Sequence, residues 1–282
     1  MHRTDFTISS RSEYRMIRQK IDVIIRRIYF HRPSLFFIRR GRKVIATPSE
    51  TFTAKVGEVI VISAGYYVDI TNFPDETGHY EADAFVFGND VLSAPPPNFA
   101  DLKPIGFFAP PSAFQNCLAS ASAALAADGK LPADIVRHRV SELVVWARSH
   151  GLNPTARESL QLPARVRQWV ANLPSHPWRI SELAAKLAMS EPSLRRHLAS
   201  EGTSATEIIA DVRMTMALTQ LQTTTDSITQ ISLAAGYQSP SQFARRFRAR
   251  FSVSPSQIRG RGGHNDQIGI KGDRSGGEVQ EK

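Results

Sequence analysis

The stretch SITQISLAAGYQSPSQFARRFRARFSVSPSQIR, residues 227–259, decides the fold of the C-terminal part of the chain. Its first segment places apolar or small side chains at i, i+3, i+4 and i+7, which is one face of a short helix. Gly236 follows as a turn residue that tolerates positive φ. The Ser-Pro pair at 239–240 then opens a second helix, with a phenylalanine at every fourth position from Phe243 to Phe251. The stretch therefore predicts a helix, a tight turn and a second helix.

An earlier copy of this pattern indicates an internal duplication. Ile180 begins the same apolar face as Ile228, 48 residues later, and Leu194 matches Phe243 at a spacing of 49 residues. The first copy has Ala188 in place of the turn glycine. If the turn keeps the same backbone conformation, this alanine is expected to lower the stability of the fold by up to ~1 kcal/mol. The chain thus predicts two helix-turn-helix units.

A single helix over Ala205–Leu221 is predicted between the two units. It would fix their spacing, so that one chain reads two successive major-groove segments about one turn, or ~34 Å, apart. Paired amphipathic helices also build ordinary bundles, and arginines also solvate a surface. Here two such units repeat at nearly constant spacing, and both carry arginines outside the apolar face of the second helix. This combination favours DNA binding. These free-face residues are Ser193, Arg195 and Arg196 in the first unit and Ser241, Gln242, Arg245, Arg246 and Arg248 in the second.

Residues 227–259 resemble the signature of the AraC/XylS family of bacterial transcription regulators. The resemblance lies in the Ile-x-x-Ile helix, the Gly-aromatic turn, the Ser-x-Ser-x-Phe opening, the Arg-x-Phe core and the final Ser-Pro. Trp178–Gly202 is similar to the family's weaker first unit. The sequence departs from the family at Ser252, Ser254 and Ile258, which belong to the last turn and not to the groove-facing positions.

The resemblance implies a function and a set of contact residues. Double-stranded DNA is the expected partner, RNA polymerase a further one, and the chain is expected to act as a cytoplasmic, nucleoid-associated activator. Arg248 is expected to meet phosphate, and Arg213 in the connecting helix is expected to be structural. The positions that correspond to base- and phosphate-contacting sites are Ser193, Arg195, Arg196, Ser241, Gln242 and Arg245.

The rest of the chain predicts an α+β fold with a small β barrel or sandwich before the helical domain. The family resemblance implies that this β domain is cupin-like and that the helices after it serve dimerisation. Short segments rich in Ile, Val, Phe and Tyr are separated by glycines and prolines, as in small β domains. The predicted parts are a basic arm at 1–33, the β domain at 34–94, a helical dimerisation region at 95–152, a linker at 153–163, the DNA-binding domain at 164–260 and a disordered tail at 261–282. The basic arm has two possible interpretations, a solvated segment or an auxiliary DNA contact.

Composition and charge narrow the functional classes. Residues 161–260 hold twelve Lys and Arg against six Asp and Glu, a formal charge of +6 that suits a polyanionic partner. No apolar run approaches the ~20 residues that cross a bilayer, and neither a signal peptide nor a membrane partner is expected. Cys117 is the single cysteine of the chain, so an intrachain disulfide is excluded. The apolar stripe of the helix at Pro132–Ser149, which includes Val140 and Leu143, predicts a homodimer.

Two other functions compete with the regulator. A cupin-type enzyme fused to a DNA-targeting module would need clustered His and carboxylate ligands. The β region offers only His79, with His31 just before it, so no metal, cofactor or catalytic residue is expected. A nonspecific architectural DNA binder is disfavoured because Ser and Gln are interleaved with the arginines. A small-molecule effector in the β domain is compatible with the sequence, which does not identify it.

Overall fold

The protein is described here by a computed structural model that places residues 11–92, 102–127, 129–154 and 162–259. The predicted tail at 261–282 and the first ten residues of the predicted arm lie outside these ranges. The α+β class is confirmed: a β domain comes first, two helices follow, and a helical domain ends the described chain. The β domain is a sandwich of two open sheets and does not close into a barrel.

The sandwich is antiparallel throughout its described strand pairs. One sheet has the order β1-β8-β3-β6-β9 and the other the order β2-β7-β4-β5. The strands are β1 (Glu13–Gln19), β2 (Val23–Phe30), β3 (Ser34–Arg40), β4 (Arg42–Ala46), β5 (Thr51–Ala54), β6 (Val59–Ile62), β7 (Tyr66–Phe73), β8 (Tyr80–Val86) and β9 (Ile105–Phe108). Between β3 and β4 the chain turns at Gly41, whose φ is +74° and where a Cβ would lie 2.2 Å from the carbonyl oxygen of Phe73.

The larger sheet is covered on both faces, which explains its continuous apolar strands. Along β6, Ile60 and Ile62 point into the core between the two sheets. Val59 and Val61 point to the opposite face, where they pack against the two helices that follow the sandwich. All four side chains are fully buried as a result.

The prediction of a basic N-terminal arm at 1–33 is wrong for most of that segment. β1 pairs with β8 and β2 pairs with β7, so residues 13–30 are part of the sandwich. Both are edge strands of their sheets. Arginines on edge strands discourage pairing with other chains, and here they obscure the strand pattern in the sequence.

Two helices cover the outer face of the larger sheet, α1 (Ala113–Ala126) and α2 (Ala133–Ser149). The predicted helical region at 95–152 therefore also contains a strand, β9. Val140 and Leu143 of α2 are fully buried within the chain, against α1 and the sheet. The central part of the apolar stripe that predicted a homodimer is thus covered inside one chain and does not support a dimer, while Ile135 at the start of the stripe is 44% exposed.

The C-terminal domain is entirely helical in its described residues. Its helices are α3 (Leu162–Asn172), α4 (Ile180–Lys186), α5 (Glu191–Ser200), α6 (Ala205–Thr223), α7 (Ile228–Ala234), α8 (Pro240–Phe251) and α9 (Pro255–Ile258). The pairs α4–α5 and α7–α8 are the two predicted helix-turn-helix units. Their turns adopt the same backbone, since φ is +53° at Ala188 and +77° at Gly236.

The β domain and the helical domain share a core. Met214, Leu218 and Leu221 of α6 belong to the same buried cluster as Ile17 of β1. At the edge of this contact, the side-chain amide of Gln222 donates a 2.9 Å hydrogen bond to Gln19 Oε1. The helix that connects the two helix-turn-helix units is therefore also the helix that rests on the sandwich.

Candidate nucleic-acid interface

The first recognition helix, α5, is anchored by two buried leucines and a serine cap. The hydroxyl of Ser190 accepts a 3.3 Å hydrogen bond from the backbone N–H of Ser193, which satisfies one free donor of the first turn. Leu194 and Leu198 are buried in the core of this unit. Because one side of the helix is fixed in this way, the opposite side is presented to solvent.

The second recognition helix, α8, follows the same plan with larger side chains. Ser239 caps it through a 3.2 Å hydrogen bond from the backbone N–H of Gln242. Phe243, Phe247 and Phe251 are fully buried and contact one another at centroid distances of 5.5 and 4.7 Å. The phenylalanine stripe thus fixes the rotation of α8 about its own axis.

The predicted contact residues lie on the outer faces of the two helices. Arg196 and Arg245 occupy equivalent places, each two residues after a buried anchor, and both are exposed. Arg195 is exposed and lies 3.8 Å from Glu191, a loose pair that leaves the guanidinium available. Ser193 is half-buried at the start of α5. The other predicted contact residues, Ser241, Gln242 and Arg248, are exposed on α8.

Helix α6 sets the distance between the two recognition helices. Its 19 residues span about 28 Å at 1.5 Å per residue. Arg213 of this helix donates to the carbonyl oxygens of Pro174 and His176, at 2.8 and 2.9 Å. Arg213 therefore ties the loop after α3 to the centre of the domain, in the structural role that the sequence predicted.

Two arginines of α8 border the β domain, although neither belongs to the buried stripe of the helix. Arg250 donates to the carbonyl oxygens of Arg26 and Arg27, at 2.7 and 2.8 Å, where a bulge interrupts the pairing of β2. Arg246, predicted from its spacing to face a DNA groove, lines a cleft between the domains. The sequence pattern does not predict these positions, because the periodicity of one helix does not depend on contacts with another domain.

The comparisons with known proteins concentrate on this domain. The family model described as "Helix-turn-helix domain" matches residues 183–261, which includes most of the first unit and all of the second. The curated proteins that match this region are AraC-family regulators. The C-terminal region is an AraC-type helix-turn-helix domain. The family resemblance predicted from residues 227–259 is thereby confirmed for the AraC-type domain.

Curated relatives of the AraC-type domain are transcription activators and regulators. The chain is 37% identical over 94 residues to the urease operon transcriptional activator of Escherichia coli, which covers 33% of this chain and 32% of that protein. It is 38% identical over 78 residues to the transcriptional regulator SirC of Salmonella typhimurium, 28% of this chain and 26% of that one. It is 30% identical over 100 residues to the virulence regulon transcriptional activator VirF of Shigella flexneri, 36% of this chain and 38% of that one. The chain thus spans only about a quarter to two fifths of the length of these relatives.

The fold of both domains is shared with solved structures of ToxT from Vibrio cholerae. The structure of ToxT of strain SCE256 bound to an unsaturated fatty acid has a TM-score of 0.64 and 14% identity, and covers 91% of this chain and 96% of that one. ToxT of strain O395 has a TM-score of 0.61 and 15% identity, with coverage of 88% and 97%. At this identity the likeness shows the fold alone.

The placed residues also bear on other kinds of site. None of the helices in the described ranges is long and apolar enough to cross a membrane. Among the same residues, no group of three or more His, Cys, Asp or Glu side chains is arranged to hold a metal ion.

Proposed function

We propose that this chain is a sequence-specific DNA-binding transcription regulator that acts as an activator. The observation that carries the proposal is the placement of Arg196 and Arg245 at equivalent exposed positions of two recognition helices. A guanidinium in this position can donate two parallel hydrogen bonds to O6 and N7 of guanine. Two such helices, held by one connecting helix, would read two successive segments of the major groove.

The remaining predicted contacts divide into reading and positioning residues. Gln242 suits adenine, while Ser193, Ser241 and Arg195 can contact either a base edge or a phosphate. Arg248 would meet phosphate, which positions the protein without selecting a sequence. The relatives named as activators support an activating role, and activation would require contact with RNA polymerase in the cytoplasm, at the nucleoid.

The β domain would be the regulatory part of the protein. A solved structure with the same fold contains a bound unsaturated fatty acid, which supports a small-molecule effector here as well. A homodimer is part of the proposal, although the buried stripe of α2 no longer supports it. The relatives are regulators, which supports a non-enzymatic role over a cupin-type enzyme.

Competition between specific and random DNA tests the proposal. Sites selected from random DNA by the full chain should be bound at least a hundredfold more tightly than random sequence at the same salt concentration. Equal competition by random DNA would contradict sequence-specific regulation and favour an architectural DNA binder.

A further inference from the structure

The first two strands of the sandwich border the helical domain and are basic. β1 contacts α6, and β2 contacts α8, the second recognition helix. The segment that contains both strands, Glu13–Phe30, holds five Lys and Arg against two Asp and Glu, whereas residues 46–160 hold seven against thirteen. Positive charge in the β domain is therefore found next to the AraC-type domain, where a polyanion would bind.

The cations of the two following strands are mostly held inside the domain. Arg39 pairs with Asp83 at 2.6 Å, and Arg40 pairs with Asp75 at 3.0 Å. Lys43 is fully buried. These three side chains of β3 and β4 are therefore not available to a partner of opposite charge.

Arg26 and Arg27 of β2 differ from them because no carboxylate neutralises their charge. Both are exposed, and neither forms an ion pair in the part of the chain that the structure describes. The guanidinium of Arg27 lies 5.5 Å from the ring centroid of Tyr67, a contact that leaves its positive charge uncompensated. Two adjacent cations of the sandwich are thus available to an anionic partner.

These two arginines lie on a β-bulge that contacts from both domains hold in place. The pairing of β2 with β7 shifts its register at this point. The backbone N–H of Arg27 donates to Oδ1 of Asp69 at 2.7 Å, within the sandwich. Arg250 of α8 donates to the carbonyl oxygens of Arg26 and Arg27, at 2.7 and 2.8 Å. All these contacts use the main chain of the bulge, so they fix its position without using either guanidinium group.

The bulge lies beside one flank of the second recognition helix. Arg246 and Arg250 are one turn apart on α8, on the flank between the buried phenylalanine stripe and the free face that carries Arg245. Arg250, which contacts the bulge, lies about 7.5 Å from Arg245 along the helix axis at 1.5 Å per residue. This distance is comparable to the length of an arginine side chain. The bulge is therefore close to any DNA that Arg245 reads.

A recognition helix in the major groove lies between the two phosphate backbones, because the groove is about 12 Å wide and a helix with its side chains nearly fills it. A structure that borders one flank of the helix thus faces one of the two backbones. We propose that the bulge of β2 is a second DNA contact of the protein, in which Arg26 and Arg27 meet phosphates beside the groove that α8 occupies. This inference rests on the proposed function. It gives the sandwich a direct part in DNA affinity but none in sequence preference, since phosphate contacts carry no base information.

The salt dependence of DNA binding by the full chain tests the bulge. Each phosphate contact steepens the slope of log K against log salt concentration by about 0.9. The double variant Arg26→Ala, Arg27→Ala should therefore flatten this slope by roughly 1.8, and it should weaken selected and random DNA by the same factor. The main-chain carbonyl groups that bind Arg250 remain in this variant, so the contact between α8 and β2 is kept.

Arg18→Ala is the matched control on the neighbouring strand. The side chain of Arg18 is 70% exposed and lies at a loose 3.8 Å from Glu81. The adjacent Gln19 contacts Gln222 of α6, and side chains alternate along a strand, so Arg18 points to the opposite face of the sheet. Arg18→Ala removes the same charge and should leave the slope unchanged. The double variant Arg26→Lys, Arg27→Lys should restore the wild-type slope, because a lysine ammonium also binds phosphate.

Ethylation of single phosphates in the selected DNA site locates the contact. Ethyl groups on phosphates beside the base pairs read by Arg245 should interfere with binding of the wild type. This interference should be lost in the double alanine variant. The inference is overturned if that variant keeps the wild-type slope, if Arg18→Ala flattens the slope equally, or if the interference pattern does not change.

Two further results separate this inference from the proposed function. An altered base preference in the double alanine variant would mean that the bulge reads bases, which overturns the assignment to phosphates. If the wild type does not distinguish selected from random DNA, the proposed function fails instead. The salt slopes measured on random DNA then still decide whether the bulge contacts the backbone.

Discussion

Replacement of Gly236 by alanine is expected to destabilise the second helix-turn-helix unit by about 2–4 kcal/mol. Gly236 has a φ of +77°, and an L-residue in this region costs about 1 kcal/mol. The added Cβ would lie 2.9 Å from Cζ of Arg213 and 3.0 Å from the carbonyl oxygen of Pro174. Arg213 cannot move aside freely, because the carbonyl oxygens of Pro174 and His176 hold it. Each of these charged hydrogen bonds contributes about 1.5–3 kcal/mol, and their weakening accounts for the remainder of the expected destabilisation.

The first helix-turn-helix unit offers a matched control at the equivalent turn position. Ala188 already adopts a φ of +53°, so Ala188→Gly is expected to stabilise the chain by about 0.5–1 kcal/mol. Urea denaturation of both variants and of the wild type gives the two changes in the free energy of unfolding. A cost below 1 kcal/mol for Gly236→Ala, or a destabilising effect of Ala188→Gly, would refute the reasoning from backbone conformation and close approach.

Three further predictions concern domain contact, pH and salt. Arg250→Ala removes both hydrogen bonds to the bulge of β2 and should raise hydrogen exchange of the β2 amides at least tenfold; unchanged exchange would show that the domains are held by other contacts. Lys43 is fully buried and donates to Asn72 Oδ1 at 2.7 Å, and its burial lowers its pKa from 10.5 to about 7. Between pH 7 and 10.5 the unfolded chain therefore binds more protons than the folded chain, and the free energy of unfolding should rise with pH. Lys43→Met should flatten this rise. An equally steep rise of the free energy of unfolding in the variant would contradict the lowered pKa of Lys43. The fragment 160–262 should bind DNA with an affinity that falls steeply with salt, because the formal charge of +6 on residues 161–260 releases counterions from DNA. A salt-independent affinity would contradict this prediction.

The helical domain was predictable because the residues that determine each helix lie close together in the sequence. Each buried position of α5 and α8 lies three or four residues from the next, and each cap lies just before its helix. The sequence predicted both units and the long connecting helix between them. It left open whether Ala188 keeps the backbone of the turn glycine, and the structure shows that it does, with a φ of +53°. The choice of Arg196 and Arg245 followed from the same spacing, and the structure leaves both exposed.

The β domain was predicted less well because strand pairing is not local. β1 and β2 pair with β8 and β7, which lie about 40 to 70 residues away in sequence, and their arginines suggested an arm. β5 and β9 have four residues each, too few for a clear alternating pattern. Their places depend on neighbours that only the folded chain brings together.

The cleft between the domains could not be predicted from the sequence for a related reason. Arg246 lies on the exposed side of α8, so its spacing is the same as that of a groove-facing residue. What distinguishes it is the position of Arg27 on a β-bulge more than 200 residues earlier in the chain. A cleft made by two domains depends on the relative placement of both, and no single segment of the sequence encodes that placement.

The central claim, base reading by two equivalent arginines, is tested most directly by selecting binding sites from random DNA with Arg196→Ala, Arg245→Ala and the wild type. Loss of two hydrogen bonds to guanine, worth roughly 1–3 kcal/mol, should weaken specific binding about ten- to a hundredfold and relax the preference at one base pair in each variant. The two relaxed base pairs should lie about one helical turn apart, whereas Arg248→Ala should weaken all sequences alike. If both Arg196→Ala and Arg245→Ala lose affinity uniformly and keep the wild-type base preferences, the two arginines only position the protein on DNA, and the account of sequence reading is contradicted.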